Sequence, residues 1–338
     1  MIKQLLLAAS LMLLVACNNG NRVEGTQDVD STAQEDMFSN RLMKSTADTI
    51  MKVNPELVML LDTLYQHFDD NRHATKHPVE EDLPWINEYR KQLCAFFNAH
   101  ELGGSNISEY AKVDTVLNVA ERLYGLDTDD SPAGVSTRNW ICAYFDSYRE
   151  CNLFAQLLSL CNSNSTKKKL YQEWALYLQM EEKIAKVCVN ATELDYWGGS
   201  IIGLICICKI RDIHAARIEM LETMIKMVRG YENGRSYHDA SKTLLDSASK
   251  KIKDAMERTI SAAKYEGSED NLSDNFYETA REAETYISDL HALVKQWIAV
   301  LRNLDKEQTE GNLNHGIERA GSAMLIRWAD IVRSYDNV

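Results

Sequence analysis

Proline and glycine are scarce in this chain, 4 and 15 of 338 residues. So few helix breakers, among abundant Leu, Ala, Glu and Lys, exclude a turn-rich β architecture and point to long helices joined by short connections. No stretch offers the alternating pattern and turn chemistry of a hairpin. The expected class is all-α, an elongated antiparallel bundle. Positive charge is also in deficit: 37 Lys and Arg stand against 50 Asp and Glu, a formal net charge of -13. Such a chain avoids nucleic acid and favours basic partners, whose encounter its field would speed. The longest apolar run, Leu5 to Val15, is too short for a spanning helix. A nucleophile elbow, a phosphate-cradling glycine loop and a zinc-protease signature are all missing, so neither an enzyme nor a cofactor is expected.

What the chain does have begins at its start. Lys3 is a small cationic region, Leu5 to Val15 an apolar one, and Leu14-Val15-Ala16-Cys17 ends that run with a small residue before cysteine. This layout resembles a bacterial lipoprotein signal. It implies removal of residues 1–16 and acylation of Cys17, which would tie the chain to a lipid bilayer in the cell envelope, the outer membrane being the expected address. Residues 17–35 are polar and read as a tether. Two helical domains are then expected, 36–232 and 236–338.

Seven cysteines remain after Cys17. Cys206 and Cys208 are two apart on one helix and point to different sides. Cys94, Cys142, Cys151, Cys161 and Cys188 are left either as bridge partners of unreadable connectivity or as buried thiols behaving as small hydrophobes. His73 and His77 lie four apart near Asp69 and Asp70, a spacing that suits zinc on a helix face. The run from His67 to Lys76 lacks an apolar stripe, however, and no metal is expected there. Asp127, Asp129 and Asp130 look like part of a calcium loop, but Pro132 stands where that loop needs glycine. Triplets such as Asp30-Ser31-Thr32 and Asp114-Thr115-Val116 resemble the O-glycan acceptor pattern of exported Bacteroidetes proteins.

Helical segments are predicted over Trp140 to Leu160, Lys167 to Val189 and Ile201 to Val228, with Ser236 to Asp239 capping a further helix. The cleanest periodicity lies in the last third. Phe276, Ala280, Ala283, Ile287, Leu290, Val294, Trp297, Leu301 and Leu304 alternate steps of four and three, a heptad seam. Its expected partner is the preceding helix, with Leu245, Ala248, Ile252, Ala255 and Ile260.

Trp174 and Tyr177, then Gly198-Gly199-Ser200, then Cys208, Arg217 and Leu221 form an ordered set over about residues 110–224. The set resembles the lysozyme inhibitor LprI family, which has a tryptophan three residues before an aromatic, a Gly-Gly-Ser break, and a following helix with a cysteine and an arginine ahead of a leucine. The resemblance implies a helical protein that binds and inhibits a basic lysozyme or modulates a cell-wall enzyme; the alternative is an envelope scaffold without lysozyme activity. It also implies a disulfide to the second cysteine, whose usual partner position falls near Glu182, with Cys188 one to two turns later as the substitute. Read from the residues alone, Trp174 and Tyr177 belong in a core, Gly198 to Ser200 make a helix stop and cap, and Arg217 is a snorkelling surface residue. Trp297 with Ala320-Gly321-Ser322 parallels Trp174 with its break, which predicts a degenerate second copy near 240–338. Trp85 with Gly103-Gly104-Ser105 is the candidate for a third.

Overall fold

The computed structural model describes residues 132–197, 201–229, 239–267, 272–308 and 316–334, with scattered positions between Glu56 and Ala95. Cys17, His73, His77, the Gly198 to Ser200 segment and most of the third repeat candidate lie outside the described residues. Six long helices and no strand occupy the described part, which is an all-α bundle: α1 (Pro132–Leu160), α2 (Asn164–Asp195), α3 (Ile202–Val228), α4 (Ala240–Glu266), α5 (Asp274–Gln308) and α6 (Gly316–Arg333). None of them is long and apolar enough to cross a membrane.

Local chemistry sets the helix ends. Pro132 opens α1, eight residues before the predicted start, because a fixed φ and a missing N–H cost nothing at a first helical position. Ser163 caps α2, its hydroxyl accepting from the Thr166 amide at 3.4 Å. Asp239 precedes α4 at φ 52° and makes no side-chain cap bond, while the rest of the predicted cap, 236–238, lies outside the described residues. Gly267 ends α4 at φ 66°, the left-handed conformation that lets its amide close on Ala263 and Lys264. The buried Asp305 carboxylate on α5 accepts from the amides of Ile317 and Glu318, both at 2.8 Å, and so satisfies the start of α6.

The α5 seam is a core face. Eight of its nine positions are buried and Ile287 is half-buried. Its principal partner is α2 rather than α4, and α4 packs chiefly on α6. An apolar stripe states which face turns inward and leaves open which neighbour fills it. One large apolar cluster draws on every one of these helices and includes Leu64, so it runs from Leu64 to Val332 and residues from both sides of the predicted division at 232–236 share it. A smaller cluster joins Ala191 and Leu194 of α2, Ile252 and Ala255 of α4, and Phe276, Ala280 and Ala283 of α5.

The proposed second copy needs one correction. Gly321 and Ser322 are not a break; they lie inside α6. Glycine stands there because α6 approaches α5 closely: a Cβ at Gly321 would come within 2.3 Å of Leu301 and 2.9 Å of the Trp297 ring.

Candidate functional site: a charged network inside the bundle

Glu173, Tyr177 and Glu181 recur at every fourth residue of α2, which sets them on one face. His214 and Arg217, three apart, do the same on α3. These two faces, with Glu150 of α1 and Trp297 of α5, meet in the middle of the bundle, and all seven side chains are buried. Arg217 donates through both terminal nitrogens to Glu173, at 2.6 and 2.8 Å, the bidentate fork that guanidinium and carboxylate form best. The Trp297 indole donates to the same Glu173 at 2.7 Å. Arg217 also lies over the Tyr177 ring at 4.0 Å and faces the Trp174 ring at 5.5 Å. Trp174 stacks on Phe154 with centroids 4.5 Å apart.

One turn away the Tyr177 hydroxyl donates to Glu150 at 3.0 Å. His214 Nδ1 lies 2.8 Å from the same Glu150 oxygen and 3.2 Å from Glu181. Burial by itself would lower the His214 pKa, but the Glu150 and Glu181 carboxylates outweigh it and push the imidazole up to about 10. At neutral pH this His is a cation clamped between two carboxylates. Burial opposes the charge on Arg217 too, and Glu173 more than restores it. Burial first, then Glu150 and Glu181, hold the Tyr177 phenol well above its usual range. Charges taken out of water this far are tolerable only when paired and hydrogen-bonded, so the network ties α1, α2, α3 and α5 to one mutual register.

Sequence reasoning placed several of these residues and misjudged one. Trp174, Tyr177 and Leu221 are in the core. Arg217 is wholly buried, contrary to its reading as a surface residue; the reason is Glu173, 44 positions earlier, which supplies the countercharge. Trp297 enters the same network through Glu173. Ser322 is half-buried within α6. No disulfide joins the described cysteines, and Cys188 is buried while Cys208 is exposed, so the substitute bridge is not formed. Cys206 and Cys208 do face opposite ways, one buried and one exposed. Glu150, Glu173, Glu181 and His214 were not singled out. The usable signal was position: each is a titratable residue on the apolar stripe of its helix, where a solvated charge has no place.

Cys208 opens onto a surface groove between α1 and α3, within 3.7 Å of the Asn139 amide nitrogen. Asp146, Asp212, Glu219 and Glu222 line it against Arg149 and Arg211, so acid predominates. Asp146 is tied to both arginines, at 3.1 and 3.5 Å. No family model, curated protein or solved structure matches the chain.

Proposed function

We propose that this chain is a membrane-anchored, non-enzymatic binding lipoprotein of the cell envelope, acylated at Cys17, whose partner is a strongly basic protein such as a lysozyme. The observation that carries the reading is the acid-lined α1–α3 groove, onto which Cys208, one of the residues behind the LprI resemblance, opens. Separately from the groove, α5 carries exposed acids at Asp274, Glu278 and Glu282 on one helix face. A field of this sign steers a cationic partner, and complementary charge acts on the rate of encounter more than on the final affinity.

The test is inhibition of several lysozymes by the full chain at two salt concentrations. The reading expects slowed lysis that weakens with added salt, because screening shortens to roughly 8 Å at physiological ionic strength. A second reading, an envelope scaffold without lysozyme activity, draws on the burial of Trp174, Tyr177, Arg217 and Leu221, which gives these residues a packing role. Absence of inhibition at micromolar protein would transfer the conclusion to that scaffold.

A further inference from the structure

We propose that Glu150, Glu181 and His214 form a binding site for a single divalent transition-metal ion inside the bundle. One ligand atom from each residue lies within 4.8 Å of the other two, and all three side chains are buried. They come from α1, α2 and α3 separately, so the site exists only in the assembled fold. Tetrahedral zinc with bonds of about 2.0–2.2 Å sets its ligand atoms roughly 3.3–3.6 Å apart. The present contacts of 2.8 and 3.2 Å from His214 Nδ1 to the two carboxylates are shorter than this, so the Glu150 carboxylate must draw back by about 0.5–0.8 Å and Glu181 by less to admit the ion.

Charge favours the same occupant. Glu150 and Glu181 set carboxylate oxygens on two sides of His214 Nδ1, so a cation there would meet acidic ligands from two helices. The Nδ1 lone pair of His214 would be the nitrogen ligand, since this is the ring atom that faces both carboxylates. Two carboxylates with one imidazole suit zinc, manganese or ferrous iron rather than the all-oxygen cages of calcium and magnesium. The Tyr177 hydroxyl, donating to Glu150 at 3.0 Å, holds that carboxylate in place, the kind of outer support that metal ligands usually have. This ion would be structural, fastening three helices where the bundle buries its charge.

The experiment loads the chelator-stripped full chain with zinc and measures bound metal by equilibrium dialysis, the coordination by X-ray absorption, and the melting temperature. The expected result is one tightly held zinc with nitrogen and oxygen ligands and no sulfur, and a melting temperature that rises with zinc. Glu181→Gln and His214→Gln should each weaken that binding on the order of 100-fold, whereas Cys208→Ser and the pair His73→Ala, His77→Ala should retain it. The X-ray absorption arm needs no variant, so poor folding of a substituted chain does not shield the proposal. Lack of stoichiometric uptake, sulfur in the coordination shell, or binding that follows His73, His77 or Cys208 overturns it.

Discussion

The two ends of α2 are packed by opposite means. Around Glu173 to Glu181 the helix meets its neighbours through tryptophans, tyrosines and a buried ionic network, whereas around Ala191 and Leu194 it meets α4 and α5 through alanines, Ile252 and Phe276. In the second region small side chains let helices close on one another, and the buried polar contacts are an ion pair and a side-chain to backbone bond rather than a multi-helix network. Lys251 reaches Asp195 at 2.8 Å, and the Asn190 amide donates to the Thr279 carbonyl at 3.0 Å. Alanine packing rewards close approach but tolerates sliding along the helix axis. A bidentate Arg217–Glu173 pair tolerates neither sliding nor rotation. The charged region therefore fixes the register that the alanine region accepts.

The largest contrast is expected from Trp297→Ala. It removes a fully buried ring and leaves Glu173 without its indole donor, so unfolding free energy in urea should fall by about 3–5 kcal/mol. A loss under about 1 kcal/mol would mean that the network does not depend on α5. Overpacking comes next. Gly321→Ala drives a methyl into Leu301 and Trp297, and Ala255→Leu does the same in the alanine cluster; each should cost roughly 1–3 kcal/mol. A smaller effect of Ala255→Leu than of Gly321→Ala would sharpen the comparison, since the alanine region is the one able to slide.

A third contrast is in pH dependence, read in the presence of chelator as wild type against His214→Gln. His214 is raised in the folded chain from 6.5 to about 10 by Glu150 and Glu181, with Asp146 adding to them and burial opposing. A raised pKa stabilises the fold in full below pH 6.5, and the contribution is lost as pH climbs from there through about 10. The stability difference between the two proteins should shrink over that window and stay flat between pH 5 and 6. A difference that grows with pH would contradict a protonated imidazole between carboxylates.

Much of the fold was legible because helix periodicity is written locally. The α5 seam predicted its inward face residue by residue, and Ile202–Val228 emerged nearly as expected. The choice of α2 over α4 as the main partner of α5 was not legible, since an apolar stripe carries no address. The same limit hid the network. Arg217 taken alone looks like any helix-surface arginine, and only the meeting of α2 with α3 puts Glu173 against it. Gly321 misled for a related reason: glycine before serine reads as a break, while the crowding by Trp297 and Leu301 that requires glycine inside α6 comes from another helix.

The central claim is that the paired charges of Glu173 and Arg217, rather than the bulk of their side chains, hold the centre of the bundle. A double-mutant cycle on Arg217→Met and Glu173→Leu, followed by urea unfolding of the full chain, tests it directly. Each single change strands a buried charge and should cost about 3–5 kcal/mol. The double variant, which strands neither and leaves only the Trp297 indole without its acceptor, should be more stable than either single one. Losses that simply add, with the double variant the least stable of the three, would contradict the account.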